Sequence, residues 1–387
     1  MGWRVLDEGV LCKHGWLILM KNFAQNLSKS GEPVGRALSF LKKIVMGKTR
    51  VRFWFLIVIV AVIVAGISLF SNKEMEFVEP KVVLDNFMAA GVPKYIGESH
   101  DYDKIFTELN NSGMKIFFPT FQYQEVPEAK SLNYEADFLV PCTSDSPAFK
   151  GLRQYGIKLL VPGELIYNPI SDLPPLSDDP LKEIINCAGR EAIAGVMSYD
   201  EPFWRDYLKA SENLYRRVKE VDPTIPVYMV QGPLPSVVID GSTKRPITES
   251  EVQYYFQIIK KYNRYADIIG FDVYPIPMKI AQVTTPYAGG ATLDHKKTVY
   301  DYAKWLKENS GGKPYFMALQ AFSYEKLGQD WMLEPTAGSK FPTKTELIDM
   351  VSAAKENGAS IFWWGQSFLS ATSTDINFWN TIKEVSR

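Results

Sequence analysis

The sequence predicts an α/β protein, a (β/α)8 barrel over residues 81–387 preceded by a single transmembrane helix over 53–70. Three observations predict it. From Lys81 onward, short apolar runs alternate with amphipathic segments, the pattern of repeated βα units and a parallel sheet. The repeat recurs eight times in about 300 residues, the usual size of a TIM barrel. Residues 84–97 carry no G-x-G-x-x-G after the first strand, which removes the doubly wound alternative.

The elements follow in order. The first strand is expected over 82–87, and a helix from Tyr102 to Asn111 stops at Gly113. Strand two covers 114–119. A polar excursion over 122–136 leads to Asp137-Phe-Leu-Val140, and a helix over 147–155 closes on Gly156 as its C-cap. Strand three, 157–161, ends in Pro162-Gly-Glu164, and a Pro- and Asp-rich loop precedes a helix over 180–189. Strand four is Ala194-Gly-Val-Met-Ser-Tyr-Asp-Glu-Pro202, an apolar run that delivers Asp200 and Glu201. Pro202 has no N–H for a ladder and biases Glu201 toward extended backbone, so the strand is expected to finish there.

The next helix, 203–221, puts Tyr207, Leu208, Leu214, Tyr215 and Val218 on one face, and Asp222-Pro-Thr-Ile-Pro226 stops it. Strand five, 227–230, a helix over 250–265 and strand six, 268–273, come next. A loop over 275–290 gives way to a helix over 294–309, and Gly311-Gly-Lys-Pro314 introduces strand seven, 315–319. Thr343 or Thr345 caps a helix over 343–357 that Gly358 ends, strand eight is 360–364, and the last helix is 376–385.

Residues 53–70 contain no charge, and about 18 to 20 apolar residues suffice to cross a bilayer as a helix. Lys42, Lys43, Lys48, Arg50 and Arg52 precede the stretch, which keeps 1–52 in the cytoplasm and places the barrel outside the cell membrane. Residues 71–80 read as a linker. Ser68-Leu-Phe-Ser71 offers no small-x-small cleavage pattern, so the expectation is an uncleaved anchor, with Met46 as a second possible start.

With 387 residues, 46% hydrophobic and 22% charged, the chain has the composition of a folded globular protein. A net charge of −1 argues against a general nucleic-acid binder. Nine Trp, 20 Tyr and 22 Phe suit either an aromatic-rich core or a surface that stacks on sugar rings. His14, His100 and His295 are too far apart in the sequence to suggest a metal site or a histidine triad, no Cys spacing suggests a metal either, and no cofactor motif is present. Cys142 and Cys187 permit one disulfide, and fit two small buried hydrophobes equally well.

In a parallel barrel the C-terminal strand ends converge on one site. Here they carry Asp85 and Asn86, Thr120 and Gln122, Glu164, Asp200 and Glu201, Gln231, Asp272 and Tyr274, Gln320, Trp363, Trp364 and Gln366: a polar, acidic mouth with an aromatic wall. Glu201, flanked by Tyr199, Phe203 and Trp204, suits a general acid, or else an acid that complements the dipole of the following helix. Asp200 points to the opposite side and suits support. Asp272 suits a sugar hydroxyl, a water or a loop cap. Of the adjacent Trp363 and Trp364, one should face the mouth and the other the helices.

These residues resemble the glycoside-hydrolase-like (β/α)8 superfamily, close to clan A of the retaining glycosidases, over 81–387. Asp200-Glu201-Pro202 matches the acid/base position at the end of strand four, Tyr274 a tyrosine near the end of strand six, and Trp363-Trp364 the platform of strand eight. The resemblance implies a carbohydrate partner with Glu201 as the catalytic acid; the strand-end reading adds Asp272 as a second catalytic carboxylate, with Asp200, Glu164, Tyr274, Gln320, Trp363, Trp364 and Gln231 binding substrate. The departure is at strand seven, where the clan's nucleophilic glutamate is replaced by Gln320, an amide that cannot attack an anomeric carbon. Three readings stay open: inversion with Asp272 or Glu164 as distant base, assistance by a substrate group, or glycan binding without hydrolysis.

Overall fold

The computed structural model describes residues 84, 87–90, 102–119, 141–167, 169, 179–240, 243–287, 294–327, 335–365 and 373–387. The span at 53–70, its flanking segments, Asp85, Asn86, Thr120, Gln122 and Gln366 lie outside the described residues. Among the described residues no helix is long and apolar enough to cross a membrane. The described residues up to 238 and from 245 onward fall in one compact unit, which holds the sheet.

The barrel strands are β1 (Phe87–Ala90), β2 (Ile116–Phe118), β3 (Lys158–Pro162), β4 (Ile193–Met197), β5 (Val227–Gln231), β8 (Ile268–Val273), β9 (Tyr315–Gln320) and β10 (Ser360–Trp364). All pair in parallel, and the order β1-β10-β9-β8-β5-β4-β3-β2 closes on itself through β1 and β2. Between β5 and β8 the chain forms a small two-stranded sheet, β6 (Val237–Asp240) and β7 (Thr243–Pro246), which the sequence pattern did not predict.

Side chains alternate about this sheet. Leu160, Met197, Tyr228, Ile268, Phe316 and Phe362 fill the interior, while Leu159, Val196, Met229, Phe271 and Ile361 pack outward against the helices. Removing each such side chain from water contributes roughly 1.5–3 kcal/mol. The interior is packed solid: a Cβ on Gly270 would come within 2.6 Å of the Phe316 ring, so glycine is required there.

The helix ends obey local chemistry. Ser146 caps Pro147–Tyr155 and Gly156, at φ 62°, closes it. Thr248 with Glu251, and Thr343 with Glu346, form capping boxes at the starts of Glu249–Tyr262 and Lys344–Glu356. Cys142 and Cys187, 45 residues apart, form a disulfide, which decides between the two readings of that pair.

Three boundaries differ from expectation, and each bears on the mouth. The first strand is 87–90 rather than 82–87: Leu84 stands outside the ladder, which pairs Phe87 with Ile361 and Ala89 with Phe117. Strand four ends at Met197, so Asp200 and Glu201 stand in the turn beyond it. The helix after it begins at Leu208 rather than Phe203. Residues 202–207 are instead turns, held by Trp204 N–H to Glu201 O (3.1 Å) and Tyr207 N–H to Pro202 O (3.0 Å), and Asp206 takes φ 55°. Glu201 is therefore not the N-terminal acid of a helix.

Candidate active site

The mouth of the barrel holds a small cavity. Glu164 reaches it from the single turn Gly163–Leu165 that follows β3, Asp200 from the turn after β4, and Asp272 from β8. Met197, Val230, Ala318 and Phe362 form its apolar floor. Tyr274 and Trp364 form one wall, their ring centroids 5.9 Å apart, with Phe322 edge-on to both.

Asp272 points inward because β8 alternates strictly: Ile269, Phe271 and Val273 face the helices. In β4 a bulge interrupts the phase, since Leu159 pairs with Ile193 but Leu160 with Gly195. The extra residue re-aims the rest of the strand, so that Met197 faces the interior.

Glu201 occupies a sparsely populated conformation, φ 44°, which costs on the order of 1 kcal/mol or more for a residue with a Cβ. Its carboxyl group lies over the backbone of Gly232, where a Cβ would sit 2.4 Å from Oε1 and 2.7 Å from the Trp204 indole nitrogen. Gly232 is in turn held by Tyr255, whose hydroxyl donates to the Gly232 carbonyl and whose ring stacks on Trp204 at 5.7 Å. Gly232 and Tyr255 are site residues that the sequence pattern did not single out; a glycine directly after a strand was the available signal for the first.

Glu201 and Asp272 are hydrogen-bonded to each other. Burial pushes Glu201 up to about 8, and the charge of Asp200 adds to the rise, while the bond from Asp272 and the nearby Arg205 oppose it. Burial also pushes Asp272 far above the carboxylate range, with the charges of Glu201 and Asp200 acting in the same direction. Two carboxyl groups in contact in a dry site hold a proton between them. Asp200 is raised by burial and is steadied by Arg205 at 3.5 Å.

The other predicted residues divide. Glu164, Asp200, Asp272, Tyr274 and Trp364 come together on the cavity. Trp363 is turned away: β10 alternates, and its fully buried indole donates to Ser386 Oγ at 3.0 Å, on the helix side. Gln320 is spent on backbone, its Nε2 donating to Ile276 O (2.6 Å) and Phe322 O (3.1 Å) and its Oε1 accepting from Ile276 N–H (2.9 Å). Both amide donors are used, so it fastens the loop at 276 and offers none to a ligand. Gln231 is fully buried and does not line the cavity. The contact between Glu201 and Asp272 also leaves no room for the water that inversion would place between them, since inverting pairs stand about 6.5–9.5 Å apart.

No protein-family model and no curated protein matches the chain. Solved structures resemble it in fold. An α-L-fucosidase candidate from Bacteroides thetaiotaomicron is 10% identical with a TM-score of 0.46, covering 81% of this chain and 99% of that one. A β-galactosidase from Halorubrum lacusprofundi is 9% identical with a TM-score of 0.47, over 77% of this chain and 57% of that one. The spore cortex-lytic enzyme SleL of Bacillus cereus is 11% identical with a TM-score of 0.43, over 77% and 73%.

Proposed function

We propose that the chain is a membrane-anchored, extracytoplasmic carbohydrate-active barrel that hydrolyses a glycosidic bond, with the Glu201–Asp272 pair as its general acid. One arrangement carries this reading: the carboxyl group of Asp272, on an aromatic-sided cavity, meets that of Glu201 behind it, and burial pushes Glu201 up to about 8. Such a pair suits protonation of a leaving oxygen near neutral pH. Asp272 is the member that faces the cavity, and Glu201 replenishes its proton. Glu164 and Asp200, on the same cavity, are the candidates for the carboxylate that activates water. The backbone strain at Glu201 supports a functional role, because such strain persists where a site demands it.

The anchor at 53–70 rests on the uncharged run and its basic flank. The Cys142–Cys187 disulfide supports an oxidising compartment for the barrel. A second reading, glycan binding or scaffolding without turnover, is favoured by Gln320, whose amide leaves strand seven with no nucleophile.

The test is a panel of oligosaccharides offered to wild type, Glu201→Gln and Asp272→Asn. Turnover by wild type that falls about 10²- to 10⁴-fold in either variant, with binding retained, supports the acid. Wild-type activity should decline as pH rises through about 8, where Glu201 gives up its proton. Binding without turnover moves the assignment to the scaffold, and neither binding nor turnover ends the carbohydrate reading.

A further inference from the structure

Trp204 is 39% exposed, and among the described residues it is the one tryptophan that stands so far into solvent. Its indole is held from one side. The Tyr255 ring stacks on it at 5.7 Å and 20°, and Phe203 meets it edge-on at 4.8 Å. Phe203 is also 4.8 Å from Tyr255, so both rings lie to the same side and the opposite face of the indole is left to water. Tyr255 is buried and bonded to the Gly232 carbonyl, which gives the indole a fixed base.

A single exposed ring carries no meaning by itself; the place of this one does. Glu201 Oε1 and Trp204 Nε1 lie 2.4 and 2.7 Å from one point, the position a Cβ on Gly232 would take, so the indole borders the Glu201 carboxyl. Glu201 is bonded to Asp272, which opens on the cavity whose wall is Tyr274 and Trp364. The strand order agrees. The wall stands at the ends of β10 and β8, Asp272 on β8, and Gly232, Glu201 and Trp204 follow β5 and β4 beyond it. The carboxyl pair therefore lies between two aromatic surfaces, one lining the cavity and one outside it.

We propose that Trp204 is a second sugar-binding platform, so that the site takes a glycan of at least two units spanning the Glu201–Asp272 pair, one unit against Trp364 and Tyr274 and the next on Trp204. The inference rests on the carbohydrate reading above and narrows its substrate class to oligo- and polysaccharides. A substrate with one sugar and a small leaving group would fill the cavity and leave the indole unused. A flat apolar face on a rigid base packs against the C–H face of a pyranose, and such a stack contributes about two- to tenfold in affinity.

The experiment titrates the full chain, purified in detergent, with glucose, mannose and N-acetylglucosamine and with cello-, manno- and chito-oligosaccharides of two to four units. Wild type, Trp204→Ala and Trp204→Phe are compared by calorimetry. In at least one series affinity should rise about tenfold between one unit and three. Trp204→Ala should remove most of that rise, and Trp204→Phe, which keeps a ring on Tyr255, should retain part of it. A second measurement needs no variant: N-bromosuccinimide oxidises exposed indoles, and peptide mapping of wild type should find Trp204 protected by the oligomer and not by the monosaccharide. Affinity independent of length in every series that binds, a rise that survives Trp204→Ala, or Trp204 oxidised equally fast with oligomer bound overturns the proposal and leaves the carbohydrate reading standing. Binding of no sugar at all removes both.

Discussion

Asp267 and Asp272 sit at opposite ends of one strand, β8, and the protein treats them in opposite ways. Asp267, 11% exposed, accepts from the Val227 N–H (2.7 Å) and the Tyr215 hydroxyl (3.0 Å) and pairs with Lys219 at 2.7 Å. Lys219 is also bonded to the Ile225 carbonyl at 2.8 Å, so the group joins β5, β8 and the helix Leu208–Val221. Asp272 has one oxygen unbonded, its carboxyl group is hydrogen-bonded to that of Glu201, and the charges of Glu201 and Asp200 act against its own. A buried carboxylate with a full set of donors is a fastening. One surrounded by its own kind weakens the fold and is retained at a site for chemistry.

The sharpest way to break this contrast is to remove each aspartate. Asp267→Ala should destabilise by about 3 to 5 kcal/mol, because it strands Lys219 and two further donors in a buried place. Asp272→Asn should leave stability unchanged or raise it and, on the proposed hydrolase reading, lower turnover about 10²- to 10⁴-fold. Chemical denaturation of both variants reads this directly. Equal losses from the two would mean that Asp272 is as structural as Asp267.

A smaller effect sharpens the same point at Glu201. Its carboxyl is raised from 4.5 to about 8 in the folded chain. Between those values the unfolded chain releases this proton and the folded chain keeps it, so the folded state binds more protons and stability falls as pH rises through that window. Glu201→Gln removes the dependence. Its gain over wild type should be absent near pH 4, reach on the order of 3 kcal/mol at pH 7, and level off above pH 8. A variant with an unchanged pH profile of stability would show that Glu201 titrates normally.

How far the sequence shows this depends on whether a feature is local. Capping residues such as Thr248 and Thr343, the stop at Gly156 and the alternation of Trp363 and Trp364 are readable because neighbours in the chain decide them. The eight units are readable for the same reason. The end of strand four is not, because the bulge against Leu160 is a matter of register between two strands, and the left-handed backbone at Glu201 and Asp206 falls on residues with no glycine to signal it. Gln320 stands at the expected strand end, and only the loop at Ile276 reveals that its amide is committed to backbone. The Glu201–Asp272 contact joins residues 71 positions apart in the chain, and nothing in either neighbourhood announces it.

Gly232 carries the contrast into the backbone. It comes directly after β5, and its missing side chain is the space that the Glu201 carboxyl occupies. Gly232→Ala would put a methyl group 2.4 Å from Glu201 Oε1, so the carboxyl or the Trp204 indole must move. Overpacking of this kind costs about 1 to 3 kcal/mol, less than the loss expected at Asp267. The site should suffer more than the fold. If Glu201 is pushed off Asp272, the shared proton is lost, and the pH at which activity falls should move down from about 8 toward the ordinary carboxylate range. A folded Gly232→Ala protein with an unshifted pH profile of turnover would separate the glycine from the carboxyl pair and assign the pair's position to Asp272 alone.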